Sequence, residues 1–123
     1  MVRCAVFVAV CILLLPRGAA AADVAAGEKV FARCKICHSV QAGGPSPVGP
    51  NLHGAFGRKA GSVEGFSYSE AMKNSGIVWD DETLAKYLRD PRGSLPGNKM
   101  AFPGLKNDDE MANLLAYLHQ ATQ

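Results

Sequence analysis

The sequence predicts an all-α fold in one small domain. Three observations carry this. Apolar residues recur at helical spacing near both ends of the domain and once between them. Glycine and proline crowd the segments that separate those stretches, and no segment alternates apolar and polar residues over the length of a strand. Ahead of the domain stands a stretch of different composition. Arg3 precedes an uninterrupted apolar run, Cys4–Leu15, which Pro16 and Gly18 break before the small residues Ala20, Ala21 and Ala22. That order predicts a secretory signal peptide over residues 1–22, cleaved before Asp23, and a domain over residues 23–123. The apolar run is shorter than the roughly 20 residues a spanning helix needs, so no stable membrane insertion is expected after cleavage.

Cleavage changes the charge and the cysteine count. The whole chain has 13 basic and 11 acidic residues, a formal net charge of +2; losing Arg3 and Arg17 brings the domain to zero. Nucleic-acid binding would need a strong basic excess, and there is none. A domain of about 100 residues buries a limited share of its surface, so a large apolar cofactor at its centre would add core that the side chains lack. Cys4 and Cys11 leave with the leader. Cys34 and Cys37 remain, and in an oxidising compartment a disulfide is the default expectation for such a pair.

The elements follow in order. Asp23 can cap a helix over Asp23–Arg33 whose Val24, Gly27, Val30 and Phe31 share a face. Gly43–Pro50 holds three glycines and three prolines, which forces a structured loop. Turn signals fill Asn51–Phe66, and Tyr68–Asn74 reads as a short helix. Asp80 or Asp81 caps the next helix, with Leu84, Tyr87 and Leu88 on one face and a stop at Asp90-Pro91. Leu95–Gly104 is again pinned by proline and glycine. Asn107-Asp108-Asp109-Glu110 has the spacing of a capping box, and Met111, Leu114, Leu115 and Leu118 follow at i, i+3, i+4 and i+7.

Chemistry concentrates at Cys34-Lys35-Ile36-Cys37-His38. On a helical turn these residues place two thiols and an imidazole towards one planar partner. Each thiol can add across a haem vinyl group while the imidazole Nε2 reaches the iron, and Cys-x-x-Cys-His is the sign of that attachment. Rival readings are weaker. A thioredoxin-like pair expects a βαβ context, a structural zinc needs four ligands while only His53 and His119 lie beyond the motif, and a plain disulfide leaves His38 without a role. The opposite iron position has five candidates: Met72, Met100, Met111, His53 and His119. Met111 belongs to an apolar stripe and His119 to the same helix. Met72 lies on a short helix between polar neighbours, and His53 follows the proline-rich loop on the His38 side. Met100 stands 62 positions beyond His38, in a loop held by Pro96, Gly97, Pro103 and Gly104, and is the expected ligand. Histidine with methionine raises the potential and closes the iron, which suits a carrier rather than a catalyst.

The residues resemble the class I cytochromes c, most closely the bacterial cytochrome c2 and mitochondrial cytochrome c group, over essentially all of Gly27–Gln123. Beyond the haem motif the likeness rests on Gly49-Pro50-Asn51-Leu52-His53-Gly54, Phe56-Gly57-Arg58, Gly65-Phe66-Ser67-Tyr68, Trp79, Tyr87-Leu88 and Pro96–Phe102. The resemblance implies N- and C-terminal helices that cross, Gly27 and Phe31 meeting the last helix near Leu114 and Tyr117, with short helices and loops wrapped around one covalent haem c. It implies that the Pro50 carbonyl accepts the His38 Nδ1 proton, that Arg58, Tyr68 and Trp79 donate to the haem propionates, and that Tyr87 borders a water site near the methionine sulfur. It also suggests that Lys99 can replace Met100 at high pH. Met72 and Asn98 depart from the usual Asn and Thr beside that water site, and Ser46 stands where His is common, so the family's hydrogen bonds there are not expected to carry over unchanged.

With a secretory leader, the resemblance implies a bacterial, periplasmic, monomeric one-electron carrier, not an enzyme. Its partners would be a cytochrome bc1-type complex, an oxidase, a reaction centre or a dehydrogenase. Arg33, Lys35, Lys99 and Lys106 would surround the docking surface, away from the acidic Asp80–Glu82 and Asp108–Glu110. The alternatives are a peroxidase-like or ligand-binding haem protein, and a dedicated haem subunit of a periplasmic dehydrogenase.

Overall fold

The computed structural model describes residues 20–123, so most of the predicted signal peptide lies outside the described residues. Five helices appear: α1 (Val24–Phe31), α2 (Glu70–Lys73), α3 (Asp81–Arg89), α4 (Pro91–Ser94) and α5 (Asp108–Ala121). Among the described residues the sole β-type pairing is an isolated antiparallel bridge between Lys59 and Val78. None of these helices is long and apolar enough to cross a membrane. The all-α expectation holds.

The Asp23 side chain accepts a hydrogen bond from the Ala26 amide at 3.1 Å and starts α1. The helix ends two residues earlier than the apolar spacing predicts. After Phe31 the chain tightens into turns, Arg33 N to Val30 O at 3.2 Å and Cys34 N to Phe31 O at 2.7 Å, and this carries Cys34 into the next turn.

Asp80 and Thr83 form a reciprocal capping box at the start of α3, with Thr83 N donating to Asp80 Oδ1 at 2.7 Å and Asp80 N donating to Thr83 Oγ1 at 2.9 Å. The Thr83 amide and hydroxyl hold the Asp80 carboxyl below its ordinary value. A carboxyl lowered in the folded state contributes stability that is complete above its ordinary value and lost as pH falls through the lowered one. Acid therefore frays α3 from its N-terminus, and Asp80→Asn removes that acid dependence while keeping a cap. Amide exchange at Thr83 across the acid range checks it.

The helix α3 stops at Asp90-Pro91, as the sequence predicts, and Pro91 then opens α4. At a first helical position its missing N–H has no intrahelical partner to lose, and Asp90 caps the turn by accepting from Gly93 N at 3.0 Å. At α5 the expected capping box is half made. Asn107 accepts from Glu110 N at 2.9 Å, but the Glu110 carboxylate turns away to Arg33 at 3.1 Å.

Helices α1 and α5 cross, and the crossing fixes the core. Val30, Phe31, Leu105, Met111, Leu114 and Leu118 form one buried cluster. The Phe31 and Tyr117 rings meet at 5.3 Å, and Asp23 N donates to Asn113 Oδ1 at 2.7 Å. Gly27 lies where the backbones touch: a Cβ there would sit 1.9 Å from the Asn113 carbonyl oxygen. The far end of α5 is tied to α3 and the preceding loop by His119, which stacks on Phe56 at 3.7 Å and contacts Asp81 at 2.6 Å.

Candidate functional site

Cys34 and Cys37 occupy one turn that continues from α1. Cys37 N and His38 N both donate to Cys34 O at 3.0 Å, which brings both thiols and the imidazole to one wall of a cleft. The two sulfurs are not bonded to each other. Burial pushes the Cys34 thiol up, against a smaller opposing pull from Arg33. A redox-active pair needs its thiol pushed down instead, so the environment disfavours a thioredoxin-like role. Among the described residues no three His, Cys, Asp or Glu side chains are gathered as a metal site needs, which leaves the zinc reading without ligands.

His38 is oriented from two sides. Its Nδ1 lies 2.7 Å from the Pro50 carbonyl, an acceptor with no lone N–H of its own to compete, so the imidazole donates there and Nε2 is left to face the cleft. Gly49 makes room for the ring: a Cβ there would lie 2.3 Å from His38 Cε1. Burial pulls the His38 imidazole below its usual value, outweighing the Pro50 bond, which favours the neutral ring a metal requires.

The loop behind Pro50 is held by its own side chains. Asn51 Nδ2 donates to the Gln41 and Gly44 carbonyls at 2.8 and 2.9 Å, and Asn51 N donates to Ser46 Oγ at 2.8 Å. Ser46 therefore bonds within its own loop, where the family's histidine would reach another. Arg58 completes the clamp by donating to the His53 and Asn51 carbonyls at 2.9 and 3.0 Å.

The cleft has a volume of 350 Å³, is partly open to solvent, and is lined mainly by apolar side chains. Interior voids in packed proteins seldom exceed a water molecule, and clefts of this size are the rule for bound cofactors. All nine residues singled out from the sequence line it: Cys34, Cys37, His38, Pro50, Arg58, Tyr68, Trp79, Tyr87 and Met100. A short ladder sets two of them. Gly57 N donates to Trp79 O at 2.7 Å and Trp79 N to Arg58 O at 3.0 Å, which joins the backbones of these two lining residues. The Tyr68 hydroxyl accepts from Val63 N at 3.1 Å and keeps its own hydrogen to give. Burial pushes the Tyr87 phenol up to about 12, so it stays protonated across the physiological range.

Of the five candidates for the second iron ligand, Met72 and Met100 line the cleft, while Met111 is buried in the core and His53 and His119 do not line it. Met72, set aside as a ligand for its polar neighbours but expected beside the Tyr87 site, does line the cleft. Sequence reading missed Phe56, Phe66 and Phe102, which line the cleft as apolar walls, since an aromatic in a glycine-rich loop carries no periodicity to mark it.

The residues present fit haem c: two unbonded thiols on one turn, an imidazole held towards the neutral form beside them, soft thioethers among the lining residues, and a mainly apolar cleft. Comparison with known proteins agrees. The cytochrome c family model matches residues 24–122. A cytochrome c2 of Blastochloris viridis is 50% identical over 102 residues, 83% of this chain and 80% of its own length. A cytochrome c of Nigella damascena is 50% identical over 105 residues, 85% and 95% of the two chains. A cytochrome c2 of Rhodoplanes tepidamans is 52% identical over 98 residues, 80% and 92%.

Proposed function

The chain belongs to the cytochrome c family, with one haem c held covalently through Cys34 and Cys37, and from that premise we propose that it is a soluble periplasmic carrier of single electrons whose iron is ligated by His38 and Met100. The observation that supports the reading is that His38 and Met100 line one cleft, His38 with its tautomer set by Pro50 and Met100 on a loop held by the Asn98 side chain. With both positions filled by protein groups, gaining an electron requires little rearrangement. The haem supplies the redox chemistry, and the protein supplies ligation and exclusion of water.

Around the cofactor, Arg58, Tyr68 and Trp79 all line the cleft and carry N–H or O–H groups suited to donate to the propionates, whose burial without partners would be costly. Export rests on the leader, most of which lies outside the described residues. It is supported by Asp23, whose side chain caps α1 and whose amide reaches Asn113, so a chain beginning there keeps the whole first helix anchored. Of the four expected docking cations, Arg33 is paired with Glu110 and Lys106 is turned onto the Arg89 carbonyl. Lys35 and Lys99 are exposed and in no ion pair among the described residues, so they are the better candidates to steer a redox partner.

Redox titration of the holoprotein tests the reading. A carrier gives one reversible wave with the slope of about 59 mV per decade of a one-electron couple. Its reduced form passes electrons to a complex recovered with it from the periplasm or inner membrane, at a rate that falls with salt. Rapid turnover of peroxide would favour a peroxidase instead, and isolation in a stable complex with one dehydrogenase would make it that enzyme's haem subunit.

A further inference from the structure

The loop that carries Met100 hangs on one side chain. Asn98 Nδ2 donates to the Pro91 and Leu95 carbonyls, each at 2.8 Å, tying the loop to α4 and to the residue after it. Asn98 Oδ1 accepts from Met100 N at 3.0 Å and from the Tyr87 hydroxyl at 3.0 Å. Both donor hydrogens and both acceptor positions of the amide are thereby used, which is everything an asparagine can make. Tyr87 is buried on α3 with its ring 5.3 Å from Trp79, so the amide joins α3, α4 and the methionine loop at one point.

We propose that Asn98 is a positioning residue for the second iron ligand: it holds the Met100 backbone in place and, by accepting the Tyr87 hydroxyl, keeps that proton away from the methionine sulfur. This rests on Met100 being the ligand. A hydroxyl in place of Asn98 offers one hydrogen to give where the amide gives two, so it cannot bond the Pro91 and Leu95 carbonyls together. The asparagine makes a four-way pin, and the phenol becomes part of the pin rather than a donor to the ligand. A fully satisfied, part-buried network resists opening more than its separate bonds would suggest. Met100 should therefore leave the iron less readily than the other bonds in its loop imply.

Exogenous imidazole measures this, because it binds iron only when the methionine is displaced, and its apparent affinity reports the displaced fraction. In the oxidised holoprotein, Asn98→Ala tightens apparent imidazole binding by about tenfold, a change equivalent to about 1.4 kcal/mol and within what one or two lost hydrogen bonds carry. Asn98→Thr falls between the two, with the helical circular-dichroism melt little moved. Tyr87→Phe tightens binding by about threefold in the parent and by nothing in the Asn98→Ala background, since the phenol acts through the amide. An unchanged imidazole affinity in Asn98→Ala and Asn98→Thr overturns the proposal, as does an equal Tyr87→Phe effect in both backgrounds, which would place the phenol on the sulfur. The underlying ligand assignment fails separately: the sulfur-to-iron charge-transfer band would then survive in Met100→Ala.

Discussion

Replacing Met100 with alanine abolishes the sulfur-to-iron charge-transfer band of the oxidised protein and lowers the midpoint potential by on the order of 0.2 V, about a quarter of the roughly 0.8 V over which axial ligands set haem potentials. The direction follows from softness. A thioether stabilises ferrous iron relative to ferric, and the water or hydroxide that replaces it does the reverse. The fold should survive, because Met100 lies in a loop outside the buried cluster formed by α1, α5 and Leu105. Met72 supplies the control. It also lines the cleft, from α2, so Met72→Leu must leave the band and the potential nearly unchanged. If the two variants exchange phenotypes, Met72 is the ligand and the electron-carrier site must be redrawn around α2. With the site opened, the Met100→Ala protein should bind imidazole and turn over peroxide, the behaviour the parent chain suppresses by closing its iron.

The parts of this molecule legible in the sequence are those with short-range causes. Cys34, Cys37 and His38 lie within five consecutive residues and need only one turn of helix to converge, so spacing alone points to their chemistry. The last helix was equally plain, because Met111, Leu114 and Leu118 repeat on one face and Asn107 caps it. What sequence could not supply depends on partners far along the chain. Glu110 looked like the second half of a capping box, but Arg33, 77 positions away, competes for its carboxylate and wins with a charged bond. α3 stops at Asp90-Pro91 as expected, but the sequence did not show that Pro91 also starts α4, because Asp90 is free to cap it. Asn98 stood out only as a departure from a familiar pattern. Its four hydrogen bonds reach Tyr87, Pro91, Leu95 and Met100, and no local rule anticipates one amide serving all of them. Met72 and the loop phenylalanines entered the cleft wall for the same reason: tertiary placement, without periodicity, decides what faces a cofactor.

Gly27→Leu should prevent stable folding at ordinary temperature, and even Gly27→Ala should cost about 2 kcal/mol, against the gain of about 1 kcal/mol that alanine normally brings to a helix interior. The sign is decided by what a Cβ would meet. The nearest atoms are the Asn113 carbonyl oxygen at 1.9 Å, the Asn113 carbonyl carbon at 2.5 Å and Tyr117 Cβ at 2.8 Å. Two are backbone and the third is attached to it, so no flexible side chain can swing aside. Restoring the 3.4 Å of ordinary contact moves α5 by about 1.5 Å. That displacement strains the Asp23–Asn113 bond, the Phe31–Tyr117 ring contact and the Arg33–Glu110 pair, which all span the same crossing. For a domain of this length, 2 kcal/mol corresponds to a melting temperature lower by about 8 to 16 °C. Below that temperature the Gly27→Ala protein should keep its sulfur-to-iron band, since Pro50, His38, Asn98 and Met100 are all fixed by contacts on other elements. The two variants thus separate the two jobs of the chain: one loses the ligand and keeps the fold, the other weakens the fold and keeps the ligand. A Gly27→Leu protein as stable as the parent would show that the α1–α5 crossing yields more easily than its backbone contact allows.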